Sequence, residues 1–117
     1  MRKTALVLIS VLGVSLFVWA QQPTGFTGSR EVFLSQKALV GTQVLPAGYY
    51  TVTHGMEGAQ HIMIFKQNKK EFRVKCDLEP LAEKAEATVY QYDSVGGQQV
   101  LYSIEFSGDK YRHVFAR

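Results

Sequence analysis

Glu71-Phe72-Arg73-Val74-Lys75-Cys76-Asp77 is the stretch from which the fold can be read. Charged side chains fall on alternate residues, and Phe72, Val74 and Cys76 fill the positions between them. A period of two sends one set to each side of an extended chain, so this is a half-buried β-strand. A helix would scatter the same residues around its circumference.

The same period continues in both directions. Short apolar runs at 31–36, 38–45, 49–54, 61–67, 87–93, 99–106 and 111–116 join 70–77 as candidate strands. Turn-forming residues separate them: Pro46-Ala47-Gly48, Gly55 to Gln60, Asn68-Lys69, Gly96-Gly97 and Gly108-Asp109. Only Glu79 to Ala87 departs from the pattern. Pro80 suits a first helical position and Leu81 to Glu86 favour helix, so a short helix or a long loop is expected there. The expected fold is all-β, a small antiparallel sandwich or barrel of about seven or eight strands, because one open sheet of this apolarity would leave a face wet.

The turns also propose registers, since residues facing each other across a hairpin keep a constant index sum. A turn at Asn68-Lys69 sets Lys66 against Glu71, Phe65 against Phe72 and Met63 against Val74. A symmetric Gly55–Gln60 loop sets Val52 against Met63, Tyr50 against Phe65 and His54 against His61. A turn at Gly108-Asp109 sets Glu105 against Arg112, Phe106 against Tyr111 and Tyr102 against Phe115.

The first residues have another character. Arg2 and Lys3 precede an uncharged, largely apolar run from Ala5 to Ala20, and Val18-Trp19-Ala20 fits a cleavage site. As a helix that run covers roughly 24 Å, short of a hydrocarbon core of roughly 30 Å. Residues 1–20 are therefore read as a signal peptide, 21–30 as a flexible lead-in and 31–117 as one β domain, secreted or periplasmic, with no stable membrane anchor after cleavage. Removing residues 1–20 from 117 leaves 97, enough for one core. Arg2 and Lys3 account for two of the formal +3, which leaves +1 and argues against a nucleic-acid partner. Cys76 is the only cysteine, so the fold cannot rest on an internal disulfide.

Val40-Gly41-Thr42-Gln43-Val44-Leu45-Pro46-Ala47-Gly48-Tyr49-Tyr50-Thr51-Val52 carries a V-G-x-x-x-L-x-x-G-x-Y-x-V pattern. It is followed by Phe65-Lys66-Gln67-Asn68-Lys69-Lys70, Ile104-Glu105-Phe106 and His113-Val114-Phe115. In these pieces the chain resembles a group of small, exported, functionally uncharacterised all-β proteins of soil bacteria. The likeness covers most of residues 31–116, and its motifs are turn and core chemistry. It implies fold and export, and no activity.

No G-x-S-x-G, phosphate-cradling glycine loop or supported Cys–His nucleophile is present, so an enzyme is not expected and no cofactor is called for. The expected role is a non-catalytic binding or structural module acting through surface contacts. The face carrying Tyr90, Tyr92, Leu101, Val114 and Ala116 is the candidate surface for a protein partner or self-association. The alternative is a small Zn or Cu protein. The registers place His54 opposite His61 and His61 opposite Cys76, a soft donor set that Glu57 or Met56 could complete. His113, set opposite Ile104, is read as a core or rim histidine. A barrel holding an apolar ligand is a third option, provided its interior is not filled by Phe and Tyr.

Overall fold

In the computed structural model, which describes residues 28–115, nine strands belong to one sheet. They are β1 (Ser29–Leu34), β2 (Ala38–Val40), β3 (Gln43–Leu45), β4 (Gly48–Glu57), β5 (Gln60–Gln67), β6 (Lys70–Pro80), β7 (Val89–Val95), β8 (Gln98–Glu105) and β9 (Tyr111–Phe115). The leader at 1–20, most of the lead-in and Ala116 lie outside the described residues. Ser29 and Arg30, expected in the lead-in, already pair with β4.

The sheet runs β1-β4-β5-β6-β9-β8, and β8 carries β7 along its other edge. Beyond the end of β9, Val100 and Leu101 of β8 pair with β2, and β3 follows β2. The β2–β8 pair is parallel, so the sheet is mixed where a wholly antiparallel one was expected. Gly41, at φ 63, supplies the turn that splits the expected strand 38–45 into β2 and β3.

The sheet is not closed. Two of its edge strands, β1 and β7, are bridged where Phe33 N–H donates to the Tyr90 hydroxyl at 3.2 Å. Arg30 Nη1 donates to the Ser107 carbonyl at 3.1 Å near the same seam. Inside lie Tyr50, Val52, Met63, Phe65, Val74, Cys76, Leu101, Ile104, Phe106 and Phe115, all buried. Each large apolar side chain among them contributes about 1.5–3 kcal/mol by leaving water. Tyr50, Phe65 and Phe106 are the bulkiest fully buried side chains of that core.

Two of the three proposed registers hold. Lys66 faces Glu71 and Phe65 faces Phe72, while Glu105 faces Arg112 and Ile104 faces His113. Both charge pairs close, at 3.8 Å for Lys66–Glu71 and 2.9 Å for Arg112–Glu105. The β4–β5 register differs. Gly58, at φ 60, lets a two-residue turn at Gly58-Ala59 replace the wider loop, so Val52 faces Phe65 and His54 faces Met63. The slip is two residues, and an even slip leaves each side chain on its face.

No helix forms at 79–87. β6 continues through Glu79 and Pro80 against β9, and the rest of the segment hangs on the β8–β9 turn. Leu81 N–H donates to the Lys110 carbonyl at 2.8 Å, Ala85 N–H to Asp109 at 3.0 Å, and Gly108 N–H to Ala85 at 2.8 Å. Those long-range bonds satisfy backbone groups that a helix too short to nucleate could not.

The expected partner face is also corrected. A register shift at Gln91/Tyr92 pairs Tyr92 with Leu101 and Tyr90 with Ile104, turning all four toward the core. An extra residue on one strand reverses the alternation beyond it. Leu101 is buried, Tyr90 and Tyr92 pack on the core, and Tyr102 is exposed instead. Val114 lies on the opposite side, its neighbours His113 and Phe115 pointing inward.

Candidate metal centre

Cys76 sits where β6 changes partner. Lys75 is the last residue of β6 paired with β5, and Cys76 is the first paired with β9. Side chains from β4 and β5 on one side and β9 on the other therefore converge on this point. His54 arrives on β4, two residues beyond Val52 on the inward face. His113 arrives on β9 between the charge-paired Arg112 and the buried Phe115.

One donor atom from each of His54, Cys76 and His113 lies within 4.8 Å of the others. Cys76 and His113 are fully buried, and His54 is half-buried. The His61 ring packs beside His54 with centroids 5.1 Å apart, and the His113 ring stands 5.8 Å from His54 at a steep angle. His61 Nδ1 is buried and has no hydrogen-bond partner among the described residues. The half-buried histidines form the approachable side of the cluster, and Cys76 and His113 the closed one.

Asp109 fixes His113. Its Oδ1 accepts from the Lys110 and Tyr111 amides at 2.8 and 3.3 Å, and its Oδ2 lies 2.8 Å from His113 Nε2. An ionised carboxylate can only accept, so Nε2 carries the proton of a neutral imidazole and the lone pair is on Nδ1. The ring stays neutral because burial lowers its pKa more than the Asp109 hydrogen bond raises it. Burial, aided by His113 and His61, lowers the His54 pKa to about 4. Burial, with Asp77 adding a little, pushes the Cys76 thiol up to about 12. The three donors are thus uncharged: a thiol and two neutral imidazoles.

Of the residues expected to hold metal, His54 and Cys76 come together. His61 flanks them as a ring neighbour of His54 and is not one of the three mutually close donors. Met56 is exposed, and Glu57 is drawn away to Arg73 at 3.2 Å, so neither joins the group. His113 and Asp109 escaped sequence reasoning. The Glu105/Arg112 register already turns His113 inward, but the β6–β9 pairing that brings it to Cys76 joins residues 31 to 39 positions apart and leaves no local signal. A cleft of about 310 Å³ whose lining includes Glu57, Ile62, Arg73 and Lys75 contains none of His54, Cys76 and His113. No protein family, curated protein or solved structure matches this chain.

Proposed function

We propose that the chain is an exported, non-catalytic β module whose ligand is a metal ion held by His54, Cys76 and His113. One observation carries this reading: a thiol and two imidazoles from three strands meet within 4.8 Å in a core built mostly from apolar side chains. Atoms bonded to one ion at about 2.0–2.3 Å lie roughly 3.5 Å apart, so small side-chain rotations would complete the site. The Asp109–His113 contact adds support, since a carboxylate on the far nitrogen is the usual way a metal-bound imidazole is oriented. Export rests on the leader pattern of residues 1–20.

Action through surface contacts alone draws less support, because Tyr90, Tyr92 and Leu101 turn inward while Val114 does not. Isothermal titration of the protein with Zn²⁺ and, anaerobically, with Cu⁺ tests the metal reading. One ion of either kind per chain is expected, with Cys76→Ala folded by circular dichroism but no longer binding. No heat above buffer with either ion would end it.

A further inference from the structure

We infer that the ion is copper(I), held by the Cys76 sulfur and the two imidazoles, with Asp109 as the positioning residue for His113; this rests on the metal-binding reading above. Softness comes first. A thiolate selects Cu(I) or Zn among common ions, and a two-His, one-Cys set is a trigonal arrangement associated with copper. Structural zinc takes four protein ligands, and catalytic zinc takes three and a water. Here three donors are mutually close, and two of them, Cys76 and His113, are sealed from solvent. Met63 faces His54 across the ladder and is fully buried, which places a thioether, another soft donor, on the same inner face.

The exchange at Cys76 is a proton for a copper ion. Binding can be written as Cys76–SH plus Cu⁺ giving Cys76–S–Cu plus H⁺: the S–H bond breaks, the S–Cu bond forms, and the proton leaves to solvent with no electron transferred. One positive charge replaces another, so the buried net charge is unchanged. The Asp109 carboxylate accepts from the Lys110 and Tyr111 amides and lies 2.8 Å from His113 Nε2. Its part is to hold the proton on Nε2 so that Nδ1 presents its lone pair.

The test offers each ion from a coloured complex, Cu(I) as its bicinchoninate under argon and Zn(II) as its pyridylazoresorcinol complex. X-ray absorption at the copper edge follows. Copper is expected to transfer to the protein one to one, zinc to remain with its dye, and the bound copper to show one sulfur and two nitrogen neighbours. Asp109→Asn, which keeps the side-chain size, is expected to weaken Cu(I) binding about 10–100-fold while retaining the Cu–S signal. Zinc taken up in place of copper would overturn the inference and leave the metal-binding reading standing. Transfer of neither ion would defeat both. Copper without a sulfur neighbour, or unchanged affinity in Asp109→Asn, would overturn the site as drawn.

Discussion

His54, Cys76 and His113 all have pKa values displaced toward their uncharged forms, with burial as the leading cause. For His54 the sign is simple. Its folded pKa of about 4 lies below its ordinary 6.5, so the unfolded chain binds the proton more readily between those values. The stability contributed by neutral His54 is present in full above about pH 6.5 and is lost as pH falls toward 4; His113 acts in the same direction. Urea unfolding at pH 7.5 and 4.5 should show a lower midpoint in acid, with the difference reduced in His54→Asn. An equal difference in the variant would show that His54 does not carry it. At this scale the sequence reveals which face Cys76 occupies, because its strand alternates so regularly. It conceals Asp109, whose role as the His113 acceptor depends on how the β8–β9 turn folds back.

The elements were legible wherever local chemistry decides them. Asn68 takes φ 55 at the β5–β6 turn, and Gly96 and Gly97, at φ 57 and 78, close β7 on β8. In each case the residue that marked the turn supplies the backbone the turn needs. The β4–β5 hairpin departs by two residues from its expected register because Gly55 resembles a turn residue. It is instead a strand position opposite Ile62. Gly58 sets the register, and its φ of 60 is unfavourable for a side chain although open space surrounds it. Gly58→Ala should therefore cost about 1 kcal/mol through backbone strain alone, measured by chemical denaturation. Gly55→Ala does not incur that strain, so a cost at Gly58 no larger than at Gly55 would contradict this assignment. The 79–87 segment departs from expectation for the opposite reason: its helical propensity is local, and its backbone partners are not.

Across the whole molecule, alternation predicted an all-β fold, and one sheet of nine strands provides it. What alternation cannot specify is the order of strands that are distant in sequence. The partner change in β6, the parallel β2–β8 pair and the facing of β1 with β7 belong to that order. The seam between β1 and β7 should be the weakest line of the fold, since a tyrosine hydroxyl stands where ladder bonds would close a barrel. Tyr90→Phe removes the acceptor for Phe33 N–H and should cost about 1 kcal/mol. Hydrogen exchange should quicken at Phe33 more than at amides of β5; uniform exchange would argue against a local seam.

The meeting of three strands at Cys76 is the centre of this account, and nitrogen-15 NMR of the histidine rings during anaerobic Cu(I) titration addresses it most directly. One nitrogen of His54 and Nδ1 of His113 should shift with one equivalent of copper, while His113 Nε2 keeps its proton. Rings that do not respond, or a response at His113 Nε2, would contradict it.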